Sequence, residues 1–401
     1  MKTAYDVVIV GGGVIGSSVA YYLAANPDFD GSILIVERDP TYSQASTGLS
    51  ASSIRVQFSN PINVKISQYG GEIIRNFGEL MEVDGDRPDL NFHASGYLFL
   101  ARDAQQVRIL RENHEAQKSC GADVVLWSRD ELAEAFPHLR VEDIELASYG
   151  RSGEGWFNNT GLMNGFRAKA RSLGAEVIHD EVVAMRREGG RISHVTLASG
   201  GEIEVGTVVN ASGPRAAKTA AMAGLDIPVE PRKRTLFVFD CAASPEGSAR
   251  VCNGRLPLMI DPTGVFVRPE GRFFLTGCPP VEDPGVDWDD FEPRYEEFEE
   301  IIWPALAERS EGFEAIKVVN QWAGHYAYNT LDHNLVVGPH PEVGNFIFAN
   351  GFSGHGLQQG PATGRGVSEL ITYGGYRTLD LSEVGYERVV EGRPFLEQAV
   401  I

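Results

Sequence analysis

The chain has few cysteines, a deficit of cationic residues and no long apolar run. Cys120, Cys241, Cys252 and Cys278 are scattered over 401 residues and form no CxxC pair. That spacing argues against a metal centre or a redox dithiol and fits free thiols in a reducing compartment. Lys and Arg total 35 against 55 Asp and Glu, for a net charge of −20. Nucleic acid and anionic lipid both require basic patches, so neither is an expected partner. No apolar stretch approaches the ~18 residues that suggest a membrane span, so no transmembrane segment is expected. The start, MKTAYDVVIV, lacks a signal-peptide pattern, and the expected location is cytoplasmic. No internal repeat or low-complexity tail is evident. What remains, 43% hydrophobic and 22% charged, is ordinary for a globular protein, and the length favours one large or two intimately connected domains.

The first 40 residues form a βαβ unit. Tyr5–Val10 is an apolar run of buried-strand type, Ser17 to Ala25 reads as a helix ending before Asn26-Pro27, and Ser32–Glu37 reads as a second buried strand. Between the first strand and the helix lies GGGVIG at 11–16, and Glu37 stands 21 residues beyond Gly16. A lone GxGxxG is weak evidence. Strand, turn, helix and acid together make the dinucleotide fingerprint. Gly11 permits the tight turn, Gly13 a close backbone approach, and Gly16 close helix–sheet packing. The helix N-terminus, with Val14 and Ile15, offers unpaired N–H groups to a pyrophosphate. Glu37 would accept from ribose hydroxyls, with Arg38 beside it.

Further along, Leu162 to Leu173 reads as a helix stopped by Gly174. Val182–Arg187, Arg191–Leu197 and Glu202–Val205, separated by glycine turns, read as a β-meander. Thr207–Pro214 is then a strand entering a second glycine turn, Ala211-Ser212-Gly213. Residues 226–323 are richer in strands, prolines and acidic loops, with one helical patch near 293–308. Gly351-Phe-Ser-Gly-His-Gly356 makes a third glycine loop, and a helix is expected to begin at Pro361.

The fingerprint alone does not separate NAD from FAD. An NAD dehydrogenase would continue with alternating strands and helices, whereas this chain enters a Ser/Gly loop and reaches a meander only near 182. Three glycine approaches suit a long, extended cofactor, which FAD fits better. Gly351 to Gln359, running into a helix, would set N–H donors and a positive dipole end where reduced flavin carries negative charge. His355 in that loop is either structural or catalytic.

Together GGGVIG at 11–16, Glu37-Arg38, STGLSA at 46–51, VVNASG at 208–213, WAGHY at 322–326 and GFSGHGLQQ at 351–359 resemble the D-amino-acid-oxidase-like flavoprotein superfamily over nearly the whole chain. That family includes sarcosine oxidase, glycine oxidase and dimethylglycine dehydrogenase. ERDPTYSQASTGLS, EGWF, PVEPRKR and VVGPHP look like one subgroup, linked to assembly of mitochondrial complex I. The resemblance implies an α/β (α+β) fold of glutathione-reductase type. Its Rossmann-like FAD-binding domain is discontinuous, here 1–80, 146–225 and 324–380. A mixed-sheet substrate domain covers 81–145 and 226–323, and 381–401 is a C-terminal tail. It implies oxidation of a C–N bond in an amino acid or N-substituted amino acid, by hydride transfer to flavin N5 and hydrolysis of the imine.

Residue by residue, the resemblance maps Gly11, Gly13, Gly16, Glu37 and Arg38 to the adenosine and pyrophosphate end, with Val183 holding the adenine through its backbone. Ser46, Thr47, Gly48 and Ser50 map beside the isoalloxazine, and Gly354, His355, Gly356, Leu357 and Gln358 to its pyrimidine side. Ala211 to Gly213, Gly324 and Gly351 complete the cofactor set. Arg55 lies near the position of a substrate-carboxylate arginine, and Arg268 is a second candidate clamp, each with a salt-bridge role as the plain alternative. Tyr326 and His355 are further catalytic candidates.

The departures bear on chemistry. Gly324 stands where sarcosine oxidase attaches its flavin through cysteine, and no histidine lies in 46–50, so noncovalent FAD is expected. Gln358 replaces a lysine of sarcosine oxidase. No lysine in 273–277 matches the one that assists oxygen, which leans toward a dehydrogenase using a quinone or carrier, with oxygen as the other acceptor. The expected substrate is a small carboxylate-bearing amine. The alternatives are a FAD-containing assembly scaffold with little amine-oxidising activity, and a NAD-linked dehydrogenase, which the C-terminal glycine loop opposes.

Overall fold

Val7 and Ile9 belong to one apolar cluster while Val8 and Val10 belong to another, and all are buried. Alternating side chains buried on both faces mark a central parallel strand. In the computed structural model, which describes residues 2–247 and 251–398, this strand is β1, Ala4–Val10. It runs parallel to Ile33–Glu37 on one side and to Glu202–Asn210 on the other. The connecting helix is Val14–Ala24, so it opens three residues before the expected Ser17, directly off the glycine turn.

Two eight-stranded sheets organise the molecule. In the first, Glu176–His179 adds in parallel outside Ile33–Glu37, and Phe346–Asn350 adds in parallel outside Glu202–Asn210. Val182–Glu188, Arg191–Leu197 and Glu202–Asn210 form the antiparallel meander. Its third strand and the expected 207–210 segment are one element, Glu202–Asn210, which runs straight through Gly206, where a Cβ would lie 2.6 Å from Asp6 O. The second sheet joins Ile316–Asn329, Val229–Cys241, Phe273–Gly277, Phe266–Glu270, Leu258–Ile260, Tyr97–Ala101, Leu146–Gly150 and Val124–Trp127, in that order. It therefore takes residues 146–150 and 324–329, which the sequence expectation grouped with the nucleotide-binding segments.

The helix Gly356–Tyr373 packs on Val14–Ala24 and on Pro61–Arg75. It begins five residues before the expected Pro361, which lies inside it. Gly360 meets Val14 and Ile15, and a Cβ on Gly364 would lie 2.2 Å from Ser18 Oγ. Ser18 Oγ donates to Gly360 O at 3.0 Å. The expected patch near 293–308 is realised as consecutive helical turns over Phe298–Ile302 and Trp303–Arg309. Among the described residues no helix is long and apolar enough to cross a membrane.

Candidate active site

Gly11 has φ of 101°, a conformation that favours glycine, and a Cβ there would sit 2.5 Å from Ala211 O. A Cβ on Gly16 would sit 1.9 Å from Gly11 O. The fingerprint turn is thus packed against both its own helix and the second glycine turn. Gly12 N–H donates to Glu37 Oε2 at 2.7 Å, and Asp39 N–H donates to Oε1 at 2.7 Å, which fixes the carboxylate at the strand end. The first turn of Val14–Ala24 carries no acidic residue. Its N-terminus is therefore electrostatically open to an anion.

These elements border one cavity of about 290 Å³. Its lining runs from Val36, Glu37 and Arg38 past Gly13 and Thr47 to Arg55, Tyr97, Tyr326 and the 354–358 loop. Val14 N–H donates to Thr47 Oγ1 at 3.1 Å, and Ser46 Oγ donates to His325 O at 2.6 Å. The Ser/Gly loop is so tied to the fingerprint helix at one point and to the second sheet at the next. A Cβ on Gly354 would lie 2.6 Å from the Tyr326 ring, so this glycine lets the C-terminal loop pass close to the aromatic wall.

Of the expected cofactor set, Gly11, Gly13, Val14, Ile15, Glu37, Arg38, Ser46, Thr47, Ser50, Ala211, Ser212, Gly213, Gly324, Gly354, His355, Gly356, Leu357 and Gln358 line this cavity. Gly16, Gly48 and Gly351 do not. Gly16 serves packing, Gly48 closes a turn onto Ala45 O, and Gly351 lies against Asn329 and Val229. Val183 is 46% exposed and off the lining, whereas Glu181 and Val182 are on it.

The two candidate arginines part company. Arg55 is 2% exposed, lines the cavity, and places Nη2 3.0 Å from His355 Nε2. A guanidinium has no acceptor, so this contact makes His355 Nε2 the acceptor and puts the imidazole proton on Nδ1. His355 is thereby a neutral prop for Arg55. Arg55 Nη1 also donates to Gln57 O, and Phe58, Tyr97 and Phe99 surround the guanidinium at 4.3, 5.9 and 5.5 Å. Gln358 Oε1 accepts from Arg55 N–H at 2.9 Å, so the residue in the lysine's place holds the arginine's backbone. Arg268 corrects the expectation. It is buried off the cavity, donating through Nε and Nη2 to Ala51 O at 3.2 and 2.8 Å and through Nη1 to Glu270. It anchors the Ser/Gly loop to the second sheet.

Behind Arg55 lies Glu154, fully buried, accepting from Val56 N–H at 2.7 Å and from Gln57 Nε2 at 2.9 Å. Burial pushes its carboxyl up to about 7, against the lowering effect of these donors and of Arg55. Burial also raises the Tyr97 and Tyr326 phenols, so both rings present neutral hydroxyls. Sequence reasoning missed Tyr97, Arg234, Leu236, Trp288 and Phe291, all lining residues. Arg234 is held by Asp283 at 2.6 and 2.8 Å, and Phe291 stacks on His325. Arg234 ends the quoted PVEPRKR stretch without its role being legible there, and no motif marks the others, because strand register and a long acidic loop bring them in.

A nucleotide fingerprint facing a second sheet across one long cleft defines a two-sheet flavoprotein oxidoreductase. Residues 6–370 match the family described as FAD dependent oxidoreductase (DAO), and the chain belongs to it. FAD is its cofactor. The chain is 42% identical to FAD-dependent oxidoreductase domain-containing protein 1 of Xenopus laevis, over 99% of this chain and 85% of that one. It is 28% identical to glycine oxidase of Bacillus licheniformis, over 92% and 94%. Among solved structures it resembles L-proline dehydrogenase from P. horikoshii, with a TM-score of 0.85 and 26% identity over 98% of this chain and 100% of that one.

Proposed function

We propose that the protein oxidises a C–N bond of a small amino acid or N-substituted amino acid, with FAD held noncovalently. One observation carries the reading: Arg55, a buried guanidinium propped by neutral His355, lines the same cavity as the nucleotide fingerprint. The names of glycine oxidase and L-proline dehydrogenase among the similar proteins support it. Gly324 and the absence of cysteine and histidine from 46–50 support noncovalent binding.

Bound FAD supplies the hydride acceptor. The fingerprint turn, Glu37, Thr47, Ala211 to Gly213 and the 354–358 loop would hold it. Arg55 pairs with the substrate carboxylate through parallel N–H donors, which fixes the amine's orientation. Its positive charge and the apolar wall of Leu236, Leu258 and Phe266 disfavour an ammonium, so the amine is bound in its neutral form. Tyr97 and Tyr326 close the aromatic side and exclude water while the C–H bond is broken. The imine product is then hydrolysed, and electrons pass to oxygen or to a quinone or carrier.

Arg55→Ala is expected to raise KM for the amine by roughly 10²-fold, the scale of a lost charge-assisted pair, with FAD content unchanged. Arg55→Lys should recover part of that loss. An unchanged KM in both variants contradicts the assignment.

A further inference from the structure

Residues 278–294 join Phe273–Gly277 to the helical turns at Phe298–Ile302 with no strand or helix of their own. Ordinary loops rarely exceed roughly 12–15 residues, and longer ones are commonly functional. Pro279, Pro280, Pro284 and Pro293 stiffen this one, so it behaves as a strap rather than as a coil. The strap borders the cleft. Trp288 and Phe291 line the cavity, and Trp288, 36% exposed, stands at its rim.

Its two attachments differ in kind. On the second sheet it is held by partly buried contacts. Arg234 pairs with Asp283 through both Nη atoms, and Lys233 Nζ donates to the two oxygens of Asp290 at 2.9 and 2.8 Å. Val286 N–H donates to Pro231 O at 3.0 Å, and Arg294 N–H to Thr235 Oγ1 at 3.0 Å. His325 Nε2 donates to Asp290 O at 2.7 Å, and its ring stacks on Phe291 with centroids 4.2 Å apart. Toward the first sheet, the strap meets the residues just after the second glycine turn by weaker contacts. Arg215 Nη2 pairs with Asp289 at 2.8 Å, and the Asp289 side chain is 68% exposed. Trp288 Nε1 donates to Pro214 O at 3.3 Å, and the Lys218 ammonium lies 5.9 Å from the indole. An exposed ion pair is weak and screened by salt, and a hydrogen bond of that length is weak too. The second-sheet end is therefore a hinge and the Pro214–Lys218 end a catch.

We propose that this strap latches the cofactor in place, opening at Pro214–Lys218 to admit and release FAD, with Trp288 as a cofactor-retaining residue. The proposal rests on the reading that FAD is held noncovalently. The catch directly follows Ala211 to Gly213, one of the turns that would hold FAD, and all three of those residues line the cavity with Trp288. A rigid indole at the rim covers a large area at low entropic cost, so swinging it out on the hinge opens the cavity to solvent. The same motion breaks only the exposed pair, the long hydrogen bond and the cation–π contact, and leaves the buried hinge contacts intact.

The test is the rate of FAD release from the holoprotein, read as the rise of free-flavin fluorescence on dilution, at low and at high NaCl. Arg215→Gln is expected to speed release about threefold at low salt, the scale of one exposed ion pair. At high salt it should match the wild type, because screening removes the pair from both. Trp288→Ala should speed release about tenfold at either salt. Arg151→Gln breaks the exposed Arg151–Asp123 pair, off the cleft lining, and should release FAD at the wild-type rate. A wild-type rate from Arg215→Gln at low salt or from Trp288→Ala overturns the proposal, as does an equal acceleration by Arg151→Gln. Acid precipitation is scored separately. Flavin left in the pellet overturns the noncovalent reading and the latch with it, whereas freed flavin with unaltered release rates overturns the latch alone.

Discussion

Glu154 couples the substrate end of the cleft to pH. Its carboxyl is raised from the ordinary 4.5 to about 7, chiefly by burial. An acid raised in the folded state keeps its proton while the unfolded chain has lost it. The native state is therefore favoured below the unfolded value and loses this advantage as pH climbs from 4.5 through about 7. The full window corresponds to roughly 3 kcal/mol. Urea unfolding of the wild type is expected to show stability falling across that window from this group, and Glu154→Gln to show a flatter profile. Equal slopes in the two proteins would contradict the buried-acid assignment. Arg55 was legible from the sequence because it follows a recognisable Ser/Gly loop. Arg268 was equally visible as a residue, but its direction depends on strand register, and a one-residue shift decides which face a side chain takes. Arg268→Met should weaken the hold on Ala51 and lower stability, with KM for the amine little changed in steady-state assays.

Helix Gly356–Tyr373 shows what local rules can miss at the scale of elements. Proline favours the first helical turn, which placed the expected start at Pro361. The helix instead begins at Gly356, since tertiary packing against Val14–Ala24 outweighs the hydrogen bond that Pro361 cannot donate to Leu357. Gly356, Gly360 and Gly364 recur every fourth residue, and the last two meet the fingerprint helix. The first βαβ unit was legible because its apolar runs and glycine turn carry their own period. The strands of the second sheet pair across long sequence separations, so their order was not. Gly364→Val is expected to force the two helices apart, costing about 2 kcal/mol or more and loosening FAD. Thermal melting with and without added FAD checks both effects, and a variant melting like the wild type would show that the contact can yield.

Over the whole molecule, residues 381–398 are part of the architecture. Leu381, Val384 and Tyr386 are buried, and Arg388 pairs with Asp332 at 2.7 Å, with both side chains almost fully buried. Glu397 accepts from Ser59 and Asn63, which ties the tail to the start of the helix Pro61–Arg75. The sequence expectation set 381–401 apart as a tail, because a buried ion pair has no signature in sequence. Asp332→Asn leaves Arg388 buried without its counter-charge and should cost about 3 kcal/mol in urea unfolding. The same long-range assembly sets Arg55, Tyr97 and Tyr326 in the cavity of the nucleotide fingerprint, which is the central claim. Anaerobic titration of the FAD-loaded protein with sarcosine, dimethylglycine, iminodiacetate, proline and D-amino acids tests it most directly. Bleaching of the flavin spectrum by one carboxylate-bearing class, at higher concentration in Arg55→Lys, is the result predicted. A flavin that dithionite reduces and no amine bleaches would contradict it and leave an assembly scaffold as the better reading.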